Sequence, residues 1–186
     1  MQAETVTSLA AAVELLKEKG LGVNLTIQVG GYVAHNRNVL VRQAQEKGAT
    51  HIMFIDADMI FPASGIVRLF DHDKDIVGGM YNTRGTLNER GDLVSTVKMA
   101  NEKGEPIAVD SVPSQLFKCH AVATGFMLIN TKVFKKLSYP YFEATIDKNG
   151  NHTTEDVDFC QKVHKAGFDI WCDSDIPIGH IGSYMY

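Results

Sequence analysis

Apolar and polar residues alternate along this chain with two periods, and the switches between them mark out the expected elements. Val6, Leu9, Ala10, Val13 and Leu16 recur at helical spacing, so Thr5–Lys19 is predicted to be a helix that Gly20 ends. Val23, Leu25, Ile27 and Val29 fall on every second position, the period of a strand, which Gly30 and Gly31 close. A second helix is expected over His35–Lys47, with Val39, Leu40 and Ala44 inward and Gly48 as its stop. His51–Ile55 is mostly apolar and reads as a buried strand.

Pro62–His72 is predicted as a third helix, with Ile66, Leu69 and Phe70 inward, and Asp75–Gly79 as a short strand. Turn clusters around Gly85, Gly91 and Gly104 bracket a weak strand at Leu93–Met99, so residues 81–118 are expected to form antiparallel hairpins or a mobile flap. Phe126–Asn130 is a buried strand and Thr131–Leu137 a short helix. Tyr139–His152, with Pro140 and Asn149-Gly150, is a loop. Thr153–Ala166 is the last helix and Phe168–Cys172 the last strand. The early rhythm of helix and strand with short links implies right-handed parallel crossovers. No repeat, low-complexity tract or linker interrupts it, so residues 1–186 are expected to form a single domain.

Composition narrows the function classes. A chain of 186 residues, 45% hydrophobic and 22% charged, suffices for one full-sized core. A net charge of −4 supplies no evident basic surface for nucleic acid, although local basic patches are compatible with it. The apolar runs are far too short for a membrane span, and no basic segment precedes an apolar core at the N-terminus as in a signal peptide. Cys119, Cys160 and Cys172 are odd in number and widely spaced. They read as reduced, packed thiols of a cytoplasmic protein.

Five stretches could carry chemistry. Asp56 and Asp58 follow the His51–Ile55 strand, and in open α/β sheets ligands bind beyond the carboxyl ends of the strands. Two acids on a short turn suit a hard divalent cation, but Asp is also common in strand-to-helix turns, and the pair alone leaves both readings open. Glu155 and Asp156 open a helix behind Thr153 and Thr154. They complement its dipole, or one is a general base for an acceptor hydroxyl. His180, between Gly179 and Ile181-Gly182, is a metal ligand at the sheet's active edge or a surface histidine. Arg37 in His35-Asn-Arg-Asn38 meets a phosphate or carboxylate, or forms a structural salt bridge. Thr124-Gly125 enters the Phe126 strand, where Gly125 permits close approach of a ligand or marks a bulge. The GxxxxGK[ST], GxGxxG and GxSxG patterns are all absent.

Taken in order, His35-Asn-Arg-Asn38, Thr50–Asp58 with Pro62, Asp75-Ile-Val-Gly-Gly79, Thr124–Leu128, Thr154–Phe159 and Gly179-His-Ile-Gly182 resemble a glycosyltransferase of the GT-A fold, closest to the short family-2-like enzymes of bacteria and their phages. The resemblance implies an α/β, Rossmann-like fold with a mostly parallel central sheet flanked by helices. The family's first strand, which cradles the nucleotide base, would be missing here. It also implies Mn²⁺ or Mg²⁺ bridging the diphosphate of a nucleoside-diphosphate sugar, a UDP type being favoured. By the same resemblance, Asp58 binds the metal, Asp56 contacts the metal or the ribose, and His180 is the third protein ligand. Asp156 is then the base of an inverting reaction on an unknown hydroxyl acceptor. Glu155 holds acceptor or metal-bound water, while Arg37, Thr124 and Gly125 line the donor sugar and acceptor. Two other readings stand beside it: a sugar-phosphate nucleotidyltransferase, whose Gly- and Arg-rich loop is not found, and a non-catalytic relic that binds nucleotide or sugar.

Overall fold

The computed structural model describes residues 1–182, apart from 89, 103, 105, 110, 147–149 and 151. The parts of the expected 81–118 flap and 139–152 loop that fall on these positions, Asn149 of the Asn149-Gly150 turn among them, lie outside the described residues. The chain opens with helices α1 (Ala3–Glu18) and α2 (Val33–Glu46), then strands β1 (His51–Ile55) and β2 (Met59–Ile60), helix α3 (Ser64–Asp71) and strand β3 (Ile76–Gly79). Short strands follow: β4 (Asn82–Leu87), β5 (Leu93–Ser95), β6 (Lys98–Ala100), β7 (Pro106–Ala108) and β8 (Leu116–Cys119). Strand β9 (Phe126–Asn130) leads to a 3₁₀ turn at Val133–Lys136, then β10 (Thr145–Ile146) and β11 (His152–Thr153). Helix α4 (Glu155–Lys165), β12 (Ile170–Asp173) and β13 (Gly179–His180) complete it.

The central sheet has five strands in the order β1-β9-β3-β12-β8. Within it only β3 and β12 pair in parallel; β1–β9, β9–β3 and β12–β8 are antiparallel. The expected Rossmann-like GT-A sheet, mostly parallel and short of its first strand, is thereby overturned. The cause is topological. Helix α3 does return the chain so that β3 runs in the same direction as β1, but β9 inserts between them and is antiparallel to both. Among the described residues, four two-stranded antiparallel pairs lie outside this sheet: β4–β5, β6–β7, β10–β11 and β13–β2.

Side chains alternate across the sheet as a strand's period requires. Ile52 and Phe54 face one core with Val41 of α2 and Phe159, Cys160 and Val163 of α4. Met53 and Ile55 pack against the opposite core, built from Ala12 and Leu16 of α1 and Ile66 and Leu69 of α3. The loop between α1 and α2 therefore passes from one face to the other.

That loop corrects a second expectation. Residues 23–29 have a strand's alternation yet join no ladder; Leu25, Ile27 and Val29 are more than half exposed. A lone extended segment lacks the inter-strand hydrogen bonds that make alternation a strand. Among the described residues, no helix is long and apolar enough to cross a membrane.

Candidate functional site

Three strand ends leave the sheet on one edge. The register of Ile55 with Phe126 and of Gly78 with Met127 places the end of β1, the start of β9 and the end of β3 side by side. Asp56 and Asp58, Thr124 and Gly125, and Tyr81 and Asn82 are the residues just beyond them. Helix α4 delivers Glu155 and Asp156 to the same edge, because its inner face is anchored in the core through Phe159, Cys160 and Val163. The pairing of His180 with Met59 brings the tail alongside.

Gly125 is a point of close approach. Its N–H donates to the Tyr81 hydroxyl at 3.1 Å, and its carbonyl accepts the Asp56 N–H at 2.9 Å. A Cβ here would lie 2.3 Å from the Tyr81 oxygen and 2.8 Å from Asp56 Oδ2. The close approach read from the sequence is thus between parts of the protein itself. Tyr81 is buried, and burial, then the neighbouring Asp56 carboxylate, push its phenol pKa upward, so the hydroxyl keeps its proton.

Arg37 stands at the centre of the charges. Buried on α2, it donates through Nη2 to Asp56 Oδ1 at 3.1 Å and through Nη1 to Glu155 Oε1. A planar guanidinium is suited to bridging two converging carboxylates. In this arrangement Arg37, Asp56 and Glu155 hold one another and so fix α4 against the end of β1.

Asp58 and His180 form a separate pair. Asp58 Oδ2 is 3.1 Å from Arg84 Nη1 and 3.6 Å from His180 Nε2. His180 Nδ1 is 3.1 Å from the Asn82 carbonyl oxygen, which can only accept. In the neutral ring Nδ1 therefore carries the proton, and the Nε2 lone pair is the one facing Asp58. The Tyr81 ring packs edge-on against the imidazole, centroids 5.3 Å apart.

Among the described residues no group of three His, Cys, Asp or Glu side chains is gathered as a metal site. Asp58 and His180 supply two candidate ligands, although Asp58 is itself paired with the half-exposed Arg84, while the Asp56 carboxylate is turned to the buried Arg37. Two protein ligands fit a hard cation that takes its remaining oxygens from a diphosphate and water.

Asp156 sits apart from these pairs. Its Oδ1 accepts the Thr154 hydroxyl and the Val157 N–H, the latter at 2.8 Å. It lines a cavity of about 160 Å³ with Thr83, Thr96, Lys98, Ala121 and Thr154. Thr124 is fully buried, and its hydroxyl has no partner among the described residues.

Two contributors escaped the sequence. Tyr81 follows the Asp75–Gly79 strand at the same carboxyl edge that singled out Asp56, so the rule that found one carboxylate points to it as well. Arg84 carries no such signal; its reach to Asp58 depends on where β4 starts.

No protein-family model and no curated protein matches the chain. Among solved structures, the chain is similar to A197 from STIV, known from its crystal structure, with a TM-score of 0.61. The likeness covers 93% of this chain and 79% of that one at 16% sequence identity, and it therefore extends to the fold alone.

Proposed function

We propose that the protein is a divalent-metal-dependent glycosyltransferase, moving a sugar from a nucleoside-diphosphate donor, UDP type favoured, to a hydroxyl acceptor with inversion. The observation that carries this reading is the convergence of Asp58 Oδ2 and His180 Nε2, 3.6 Å apart, with His180 Nδ1 3.1 Å from the Asn82 carbonyl oxygen. Asp58 and His180 are the residues that would hold Mn²⁺ or Mg²⁺, which as a Lewis acid neutralises charge on a diphosphate leaving group. Asp156 takes the proton of the acceptor hydroxyl. The hydroxyl oxygen bonds to the anomeric carbon as that carbon's bond to the diphosphate oxygen breaks. The electron pair departs with the nucleoside diphosphate. Arg37 keeps Glu155 and Asp56 in place, so the base and the metal pair stay registered, and such registration is worth orders of magnitude in rate. A cytoplasmic location belongs to the same proposal, motivated by three buried, unpaired thiols.

The test is direct. Mn²⁺ with UDP is expected to raise the melting temperature, and Asp58→Ala to abolish that rise. Asp156→Asn is expected to keep the rise and lose turnover of the donor sugar. No metal-dependent shift with any nucleoside diphosphate would sink the reading. A second reading, binding of nucleotide or sugar without catalysis, is favoured by the Asp56 and Glu155 carboxylates being tied to Arg37. Slow donor hydrolysis by the wild type, lost in Asp156→Asn, rules that reading out.

A further inference from the structure

Most charges around the candidate site are held in ion pairs; Asp156 and Lys98, which line one cavity, are in none among the described residues. Asp56 and Glu155 share Arg37, and Asp58 meets Arg84. Lys98 lines the same cavity as Asp156, is only partly exposed, and has no ion-pair partner among the described residues. Its position is fixed by backbone. The Lys98 N–H donates to the Ala121 carbonyl at 2.8 Å, and its own carbonyl accepts the N–H groups of His120 and Ala121 at 2.9 and 3.0 Å. That clamp joins β6 to the segment running on to Gly125, so the lysine stem starts from a held point beside the site.

Size and lining restrict the occupant. At about 160 Å³ the cavity is below the roughly 300–1,000 Å³ of whole small-molecule sites. It suits one ring or head group and not a sugar nucleotide. Thr83, Thr96 and Thr154 add hydroxyl oxygens to its lining; their protons go to the Val94 and Tyr81 carbonyls and to Asp156, which leaves them as acceptors for a polyol's hydroxyls. The Lys98 ammonium is in no ion pair with Asp156 or any other described carboxylate, which leaves its donors open to an anionic group on a ligand. We infer that this cavity is the acceptor subsite and that Lys98 selects a hydroxyl acceptor bearing an anionic group, a phosphate or a carboxylate. The inference rests on the reading of Asp156 as the base, and Lys98 acts there as a specificity residue that does not take the proton.

Titration calorimetry of the full chain with Mn²⁺ and UDP present tests it, with glucose 6-phosphate, glucuronate and glucose as probes. At least one anionic sugar is expected to bind about tenfold or more tighter than glucose, the scale of one charge-assisted contact. Which of the two wins identifies the anion as phosphate or carboxylate. Lys98→Ala is expected to erase the preference and Lys98→Arg to keep most of it, both with the melting temperature of the wild type. Asp156→Asn is expected to retain the preference. Glucose binding as tightly as both anions, no binding of either anion, or an anion preference intact in Lys98→Ala overturns the inference. If any of these occurs while Mn²⁺ and UDP still shift the melting temperature, the acceptor assignment alone falls. Loss of that shift in the wild type brings down the underlying reading as well.

Discussion

Gly125 is where a single methyl group decides most. An alanine Cβ would press on the Tyr81 hydroxyl at 2.3 Å and on Asp56 Oδ2 at 2.8 Å, and Tyr81 is buried with nowhere to retreat. Gly125→Ala is expected to destabilise the fold by about 1–3 kcal/mol, the usual cost of overpacking. It should also displace Asp56 from Arg37. Urea denaturation measures the first effect; an unchanged midpoint would show that the three strand ends are looser than this geometry requires. The residue scale also shows how far chemistry is legible before folding. Gly125 stood out because a glycine at a strand entry signals close approach, but what approaches is a tyrosine from β3's end. Asp56 and Asp58 look equivalent in the sequence and differ in the structure. Asp56 turns to a buried arginine 19 positions back, and Asp58 turns to Arg84 on β4 and, at a longer distance, to a histidine near the end of the chain.

At the scale of elements, the buried Asp173 carboxylate locks α3 to β12. Arg68 donates to it through Nε at 2.5 Å and Nη2 at 3.0 Å, His72 Nε2 lies at 2.7 Å, and the Asp175 N–H donates at 3.0 Å. Burial by itself would raise the pKa of this group; the hydrogen bonds from Arg68, His72 and Asp175 outweigh it and hold the carboxyl below the ordinary 3.8. A depressed native pKa means the unfolded state binds the proton more readily. The stability this group contributes is therefore present above the ordinary value and lost as pH falls through the native one. Asp173→Asn is expected to remove that part of the acid limb in a plot of urea midpoint against pH. A limb of unchanged steepness would assign acid sensitivity to other carboxylates. The elements themselves were largely legible. Helices α1, α2 and α4 form with ends shifted by a few residues, but the buried faces differ from the expected stripes. α1 buries Thr5, Ser8, Ala12 and Leu16 and leaves Val6 half exposed, α2 buries Arg37, Asn38 and Val41, and only α4 buries a purely apolar set, Phe159, Cys160 and Val163. The segment 23–29 failed, since alternation supplies a face but not the neighbouring strand that a ladder needs.

For the whole molecule, the sheet order sets where backbone protection lies. β9, β3 and β12 have strands on both sides, whereas β1 and β8 are at the edges and residues 23–29 join no strand. Amide hydrogen exchange is expected to be slowest in β9, β3 and β12 and among the fastest in residues 22–31, where the backbone has no ladder to break. Strong protection of residues 23–29 in solution would mean that this alternating, uncharged stretch pairs with another strand, as exposed strand segments tend to do.

The sequence alone determined the things that depend on neighbours in the chain: which stretches coil, which extend, where glycine stops them, and which polar residues stand at element ends. Strand direction was beyond it. An inserted β9 leaves β1 and β3 pointing the same way without letting them touch, and no local pattern encodes which strand enters between two others. The arginine bridge, the approach of His180 to Asp58 and the cavity shared by Asp156 and Lys98 were likewise decided by tertiary structure. Each depends on groups brought together from distant positions, where distance and hydrogen-bond geometry fix the partners and spacing along the chain carries no information.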